Sequence, residues 1–184
     1  MTPLATPRTR IALVTPTDAR ALHQYYTRNH AHLSPWEPYR PTGYHSHDAW
    51  QKRAADQAAQ NASGQSYHFA VRCHGADDIA AVCNFTNITK GAFQACHLGY
   101  SIDLSHQGQG ILREALAEII PFVFAHAGLN RIMANYMPRN ERSGRLLARL
   151  GFEKEGYAKR YLKIAGEWED HILTSRIIDH AVEA

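Results

Sequence analysis

The sequence is poor in cysteine, and its three cysteines, Cys73, Cys83 and Cys96, are widely spaced within strand-like runs. An odd and scattered set of cysteines does not indicate a disulfide framework, so we expect buried free thiols in a reducing compartment. The 12 histidines include the closely spaced His45 and His47. No cysteine and histidine spacing matches a zinc site, so the sequence predicts no metal.

The sequence also lacks long apolar runs and a large charge excess. No stretch approaches the roughly 18 uncharged apolar residues of a membrane-spanning helix, and the opening MTPLATPRTR has no apolar signal core. The net charge of +3 is far from a nucleic-acid-binding signature and mildly favours anionic ligands. We therefore expect one cytoplasmic domain over residues 1–184, with a flexible segment at 1–9, that contacts no membrane and reads no nucleic acid directly. A monomer or weak dimer is expected.

Turn signals divide the chain into segments with strand or helix patterns. Their order is strand, two helices, three strands, helix, strand, helix and two strands. This order predicts an α/β (α+β) fold, with a mixed and mostly antiparallel sheet of about seven strands flanked by about four helices. Three prolines in LSPWEPYRPTG predict a loop before the second helix, which covers residues 46 to about 61. Pro121 is expected to kink or end the third helix.

The junction GYSIDLSHQGQGILREALAEII, residues 99–120, places Gly108 and Gly110 between a strand and an amphipathic helix. A helix N-terminus carries unpaired N–H groups and a partial positive charge, and glycines allow an anion to approach them. The P-loop and dinucleotide fingerprints do not match, because a Gly-Lys-Ser/Thr and a third glycine are missing. An anion-binding turn and a plain tight turn both remain open on this spacing.

The combination of antiparallel strands, glycine turn and helix resembles the GNAT acetyltransferases, whose glycine turn holds the pyrophosphate of acetyl-CoA. The usual motif is Gln/Arg-x-x-Gly-x-Gly/Ala, and residues 105–110 read SHQGQG, so Ser105 replaces the usual first residue. Longer stretches such as HLSPWEP and RIMANYMPRNERSGRLLARLGFEKEGYAKRYL are similar to the RimJ type of ribosomal-protein alanine N-acetyltransferases, over about residues 10–178. This resemblance implies direct acetyl transfer, through a tetrahedral intermediate, to the α-amine of an N-terminal alanine. The acceptor in that family is a small-subunit ribosomal protein.

The resemblance also implies a set of cofactor contacts from the central strand, the glycine turn and the later helix. The strand backbone around residues 100–102 is expected to meet the oxyanion, and side chains near the later helix to contact the pantetheine. Arg142, Arg145 and Arg149 form a stripe along that helix, for which a solvated face is the alternative. The predicted cofactor-binding residues are Tyr100, Ser101, Ile102, Gln107, Gly108, Gln109, Gly110, Ile111, Leu112, Asn135, Asn140 and Arg145.

Acetyl transfer to an amine requires a base, and an α-amine with a pKa near 7.7–8.0 is already about a tenth to a fifth neutral at pH 7. A modest base therefore suffices. His97 is the first candidate, because related chains carry a glutamate base at this strand position and an imidazole titrates in the right range. Glu37, in a proline-rich loop, is the second candidate base. Glu37 and its neighbour Trp36 are also predicted to bind the substrate. For His97 and Glu37 alike, the alternative is a polar residue that takes no part in the reaction.

Ser143 matches the position at which the family places the acid that protonates the departing thiolate. Asn140 is expected to cap the helix that carries Ser143. The alternative is a first-turn serine bonded to its own helix. An acyl-enzyme on Cys96 is disfavoured, since adjacent strand residues face opposite ways and Cys96 would point away from His97. Two other functions remain open: acetylation of a small amine such as a polyamine or antibiotic, and CoA binding without turnover by a ribosome-associated factor.

Overall fold

A computed structural model describes residues 3–178, which form a single sheet with helices on both faces. The strands are β1 (Leu4–Ala5), β2 (Thr9–Leu13), β3 (Tyr67–Cys73), β4 (Ile79–Thr89), β5 (Ala95–Ile102), β6 (Arg131–Met133), β7 (Glu153–Ile164) and β8 (Glu167–Ile177). The helices are α1 (Ala19–Arg28), α2 (His30–Leu33), α3 (His47–Ser63), α4 (Ile111–Ala127) and α5 (Glu141–Arg149). None of the helices in this described part is long and apolar enough to cross a membrane.

The strands are arranged in the order β1-β2-β3-β4-β5-β6-β8-β7. All neighbours are antiparallel except β5 and β6, which α4 connects as a parallel crossover. The predicted mixed, mostly antiparallel sheet is confirmed. The described residues contain eight strands and five helices, one more of each than predicted. The additional helix is α2, a single turn that ends at Leu33, the first residue of the segment that was predicted to be a loop.

The additional strand β1 lies in the segment that was expected to be flexible. Leu4 pairs with Ile11 of β2, and the hydroxyl of Thr6 donates to the Glu114 carboxylate on α4 over 2.5 Å. The Arg8 side chain bonds the same carboxylate. Residues 4–9 are therefore held against the domain, and only positions 1 and 2 of the expected flexible segment lie outside the described residues.

Two apolar clusters lie on opposite faces of the sheet. The larger one lies under α4 and α5, and the apolar stripe of α4 fills it with Leu116, Ile119 and Ile120, each fully buried. The smaller one lies under α1 and α3 around Tyr25 and Trp50. The molecule is thus a three-layer α/β/α structure, and each face of β5 contacts a different cluster.

Pro121 does not end α4, which continues to Ala127, so of the predicted kink or end, the end was wrong. Proline removes the hydrogen bond that its nitrogen would donate to the carbonyl of Ala117. Both residues are solvent-exposed, so water can bond the freed carbonyl. The buried face of the helix keeps its apolar contacts across this position, and those contacts outweigh the loss of one bond on the outer face.

The parallel pair β5 and β6 separates after three residue pairs. The last of these pairs joins His97 to Met133. Beyond it, residues 98–102 pair only with β4, while Ala134 and Tyr136 bond to β8 through Thr174 and Ile172. The sheet therefore opens between residues 98–102 and 134–136, and we call this opening the β5–β6 split.

Candidate active site

The glycine turn forms an open cradle at the N-terminus of α4. Gly108 and Gly110 both have a φ of 78°, in the left-handed region that glycine favours. A Cβ built on Gly108 would meet no heavy atom within 4 Å. The first bond that closes α4 runs from the Glu114 N–H to the Gly110 carbonyl, 3.0 Å, so the preceding amides of residues 111–113 have no acceptor in the helix. The turn can therefore offer several N–H groups to an anion.

The turn is anchored by a buried carboxylate that the sequence did not indicate. Asp103, 5% exposed, accepts hydrogen bonds from Arg28 Nε at 2.6 Å, from Asn29 Nδ2 at 2.9 Å, and from Ser105 Oγ at 2.6 Å. Burial opposes ionisation of Asp103, but the hydrogen bonds from Ser105, Asn29 and Arg28 together hold its pKa well below its usual range. Ser105, which departs from the family motif, thus fixes the turn to the end of β5.

A second set of bonds connects the turn to its surroundings. The Gln107 side-chain oxygen accepts a bond from Arg142 on α5. Gln109 Nε2 donates to the Ser105 carbonyl over 2.7 Å. Both glutamine side chains are therefore engaged by the protein, and the Gln107 N–H also donates to the Leu104 carbonyl over 3.3 Å, so of their two backbone amides only the Gln109 N–H is left for an anion. The turn and the start of α5 are joined directly by the Arg142 bond.

Ser143 lies in the first turn of α5, which begins where Asn140 Oδ1 accepts a bond from the Ser143 N–H at 3.2 Å. The predicted cap is confirmed. The Ser143 hydroxyl lies 2.6 Å from the Tyr100 hydroxyl of β5, beside the β5–β6 split. Burial raises the pKa of Tyr100 well above its ordinary value, so this phenol stays protonated and available as a donor. The hydroxyl of Ser143 is thus bonded across to β5 instead of to its own helix.

His97 occupies the last residue pair before the strands separate. Its Nδ1 atom is buried and has no hydrogen-bond partner among the described residues. Burial lowers the pKa of His97 below its ordinary value, so the imidazole is neutral at pH 7 and able to accept a proton. Ser101 lies four residues after His97 on the same face of β5, and its hydroxyl is 2.9 Å from the hydroxyl of Tyr25 on α1.

The loop with Trp36 and Glu37 is fixed from two sides. The Ala165 N–H, in the turn between β7 and β8, donates to the Glu37 carbonyl over 2.9 Å. The Arg139 guanidinium lies 5.0 Å from the centre of the Trp36 ring and pairs with Glu169 of β8 at 2.7 Å. Burial raises the pKa of the Glu37 carboxyl, against an opposing effect of Arg40. Within residues 3–178, no cation lies within salt-bridge distance of the Glu37 carboxylate.

Several predicted site residues are engaged elsewhere or contribute only backbone. Asn135 accepts from the Thr174 N–H at 3.1 Å and donates to the Tyr161 hydroxyl at 3.2 Å, so its amide is used between β6 and the last hairpin. Arg145 is exposed and pairs with Glu141 on its own helix at 3.0 Å. The side chains of Ile111 and Leu112 are both buried, and Leu112 belongs to the larger core. Their amides, not their side chains, remain candidates for a ligand.

The three cysteines, all within the described residues, form no disulfide. Cys83 and Cys96 are buried, Cys73 is half-buried, and all three are free. Burial raises the pKa of Cys96 to about 12, so its thiolate is not available near pH 7. Cys96 belongs to the core under α4, on the face opposite His97. An acyl-enzyme on this thiol has no support in the geometry.

A cluster of aromatic and histidine side chains joins α1, α3 and the loop before α3. Tyr26 stacks with both His45 and Trp50, with ring centres 5.2 and 4.7 Å away, and the His45 and Trp50 ring centres are 6.1 Å apart. Arg53 lies over the rings of Trp50 and Tyr44. Burial and the nearby Arg53 lower the pKa of His45 to about 4, so it is neutral. Among residues 3–178, no group of three or more His, Cys, Asp or Glu side chains is arranged to hold a metal.

Comparisons with protein families, with curated proteins and with solved structures all match acetyltransferases. A family model described as an acetyltransferase (GNAT) domain matches residues 8–153. The chain is 45% identical, over 94% of its length and 89% of the relative, to a "[Ribosomal protein uS5]-alanine N-acetyltransferase" of Escherichia coli. A crystal structure titled ribosomal-protein-S5-alanine acetyltransferase from Vibrio fischeri matches with a TM-score of 0.94 and 39% identity, covering 98% of each chain.

A further solved structure was determined with a cofactor derivative. It is titled "Mycobacterium smegmatis RimJ in complex with CoA-disulfide", is 30% identical, and covers all of this chain and 89% of its own, with a TM-score of 0.87. The open amides of the α4 cradle and the β5–β6 split fit a molecule with a diphosphate and an extended arm. The fold, the glycine turn and these similarities agree, and the chain belongs to the GNAT family of acetyltransferases.

Proposed function

We propose that this acetyltransferase uses acetyl-CoA to acetylate the α-amine of an N-terminal alanine, and that its acceptor is a small-subunit ribosomal protein in the cytoplasm. The observation that carries the proposal is the meeting of the α4 cradle with the β5–β6 split, beside His97 and Ser143. The 45% identity to the uS5-alanine acetyltransferase supports the choice of acceptor.

The residues that would hold the cofactor are those of the turn and the split. Amides from Gly108 to the first turn of α4 would bind the diphosphate, and the unpaired edge of residues 98–102 would bind the pantetheine arm. When bound, acetyl-CoA supplies an activated acetyl group as a thioester. Arg145 is the candidate for a solvent-side phosphate contact, for which it would have to leave Glu141.

The acceptor amine would be deprotonated beside His97. An incoming α-amine is mostly protonated at pH 7, and the neutral His97 imidazole can accept its proton. Glu37 and Trp36 would contact the acceptor peptide, with the half-buried Glu37 carboxylate close to its positive charge. The nitrogen then bonds the acetyl carbon, and backbone N–H groups around residues 100–102 stabilise the oxyanion.

Ser143 would complete the reaction by giving a proton to the departing sulfur. Its hydroxyl is paired with the Tyr100 hydroxyl at 2.6 Å, so a proton donated by Ser143 can be replaced from Tyr100. The amine loses two protons in all, one to His97 before the attack and one from its nitrogen after the bond to the acetyl carbon has formed. As the carbon–sulfur bond breaks, the thiolate receives the proton from Ser143, and the second amine proton restores the hydroxyl pair by way of solvent. The products are the amide, the free thiol and one proton released through His97, so the reaction balances without a covalent enzyme intermediate.

The test is an acetylation assay that follows free thiol release from acetyl-CoA. We expect release with a peptide that begins with alanine and none with the same peptide acetylated at its N-terminus. Release with spermidine or an aminoglycoside but not with the alanine peptide would support the small-amine alternative. If CoA binds and no amine causes release, the chain is a binding factor and the proposal is wrong.

Substitution of Gly108 by aspartate tests the cradle. The new carboxylate would lie beside the bound diphosphate, and repulsion between charges a few ångströms apart at a protein surface should weaken CoA binding by about tenfold or more. Gly91→Asp is the matched control, because Gly91 has a φ of 71° and equally open surroundings in the turn before β5. Calorimetric titration with CoA measures both. Equal affinities in the two variants would contradict the assignment of the cradle.

A further inference from the structure

Arg8 contacts the glycine turn from behind, although it lies about a hundred positions earlier in the chain. Its Nη1 donates to the Gln109 carbonyl over 2.9 Å. Its Nε and Nη2 both lie 2.6 Å from Oε2 of Glu114, in the first turn of α4. The Arg8 backbone N–H donates to the other oxygen of the same carboxylate at 3.0 Å. The guanidinium is therefore held between the turn and the helix.

The Gln109 carbonyl and the Gly110 N–H belong to one peptide group. The group is planar and trans, so its carbonyl and N–H point in opposite directions. A donor that fixes the carbonyl therefore also fixes the direction of the N–H. The Arg8 bond holds the carbonyl towards β2, and the Gly110 N–H must then point to the other side of the turn.

The flanking glycines make this constraint necessary. Gly108 and Gly110 lack a Cβ, so their backbone angles permit the peptide groups between them to rotate more freely than in other residues. Within residues 3–178, Arg8 is the side chain that bonds the Gln109 carbonyl. A Cβ built on Gly110 would lie 3.5 Å from Arg8 Nη2, which places the guanidinium directly behind this residue.

We infer that Arg8 is a positioning residue for the diphosphate of CoA: it holds the peptide between Gln109 and Gly110 so that the Gly110 N–H faces the anion. Its positive charge also polarises that peptide and strengthens the N–H as a donor. The inference rests on the cofactor site proposed above and adds a residue to it. Because the guanidinium lies on the carbonyl side of the turn, Arg8 acts through the backbone without touching the cofactor.

The experiment compares Arg8→Gln with Arg10→Gln. Arg10 is the matched control, because it also bonds one backbone carbonyl and one carboxylate, at Ala76 and Asp77, each at 2.8 Å. Both variants lose one positive charge from neighbouring positions of the same chain segment, and only Arg8 contacts the turn. Loss of one constraining charge-assisted bond should weaken CoA binding about fivefold in Arg8→Gln. Arg10→Gln should bind as the wild type, and Arg8→Lys should recover part of the loss.

A second donor separates positioning from a general structural defect. S-acetylpantetheine carries the same thioester without the diphosphate. In Arg8→Gln the KM for acetyl-CoA should rise about fivefold with unchanged kcat, while kcat/KM for S-acetylpantetheine stays at the wild-type value. A defect in folding would lower turnover with both donors.

The outcomes distinguish this inference from the proposed function. Wild-type protein that fails to bind CoA would overturn the proposed function and the inference with it. Wild-type binding with equal CoA affinity in Arg8→Gln and Arg10→Gln would overturn the inference alone. Equal losses of activity with acetyl-CoA and S-acetylpantetheine would also overturn it, since Arg8 would then support the fold and not the diphosphate.

Discussion

Ser143→Ala should lower kcat for acetyl transfer by about a hundredfold while CoA affinity stays within about twofold of the wild-type value. The substitution removes the hydroxyl that we assign to protonation of the leaving sulfur. It keeps the Ser143 N–H that donates to the Asn140 cap, so α5 should begin at the same residue. Single-turnover kinetics with an alanine-starting peptide and calorimetry with CoA measure the two quantities separately.

Ser63→Ala is the control for this substitution. Ser63 is also a helix serine, but it is exposed and its hydroxyl bonds the Gln60 carbonyl of its own helix at 3.2 Å. We expect no change in either quantity for Ser63→Ala. Parallel losses of turnover and CoA affinity in Ser143→Ala would show that the serine is structural. Tyr100→Phe should reproduce part of the kinetic loss, because the second hydroxyl of the pair is then missing.

The sequence was sufficient for the features that depend on local patterns. The strand, glycine turn and amphipathic helix predicted an open helix N-terminus, and Gly108 and Gly110 have the left-handed φ that this turn requires. The Asn140 cap was predicted from residue type and spacing, because a capping side chain accepts a hydrogen bond from the N–H three residues further along the chain. Alternation along β5 correctly placed Cys96 on the face opposite His97.

The features that the sequence did not indicate are long-range or too short to have a period. Asp103 and Arg28 lie 75 positions apart, and Arg8 and the Gln109 carbonyl lie 101 apart, so no local pattern pairs them. A two-residue strand such as β1 shows no alternation that could be recognised. The expected end of α4 at Pro121 was wrong because the rule for proline in helices does not include tertiary packing, which here stabilises α4 on both sides of it.

Asn135 shows a different limit of prediction. Its position in the motif implied a cofactor contact, which stays a prediction, and its side chain also bonds Thr174 and Tyr161 in the last hairpin. Residue type and order did not indicate these partners, because they depend on how residues 134–136 leave β5 and join β8. The β5–β6 split also places His97 at the point where the two strands separate.

The buried His97 should make the free energy of unfolding depend on pH. Burial lowers its pKa in the folded state, so protonation favours the unfolded chain. This contribution to folding is fully present above the ordinary pKa of about 6.5 and is lost as the pH falls below it towards the folded-state value. His97→Gln should lose less stability than the wild type between pH 7.5 and pH 5, as thermal melting can measure.

His97→Gln should lower kcat/KM for the peptide by about a hundredfold at pH 7, and the loss should shrink as the pH rises. The wild-type rate is expected to level off above the lowered pKa of His97, because the imidazole removes the amine proton. Without the imidazole, only the amine that is already neutral in solution can react. The neutral fraction of the amine is about a tenth to a fifth at pH 7 and nearly one at pH 9, so kcat/KM of the variant should rise about five- to tenfold over this range. His126→Gln, an exposed histidine at the end of α4, is the control.

Glu37→Gln separates the two candidate bases, because it removes a carboxylate with little change in size. If Glu37 only binds the acceptor, the variant should raise the peptide KM with kcat nearly unchanged, since the lost attraction acts on bound substrate before and during the reaction. If Glu37 is the base, its variant should show the hundredfold loss that high pH partly restores, and His97→Gln should not. The pH at which activity falls on the acid side does not by itself identify the base, because burial raises the pKa of Glu37 above its ordinary value and lowers that of His97 below its own. The pH dependence of the two variants is therefore the measurement that assigns the proton to one side chain.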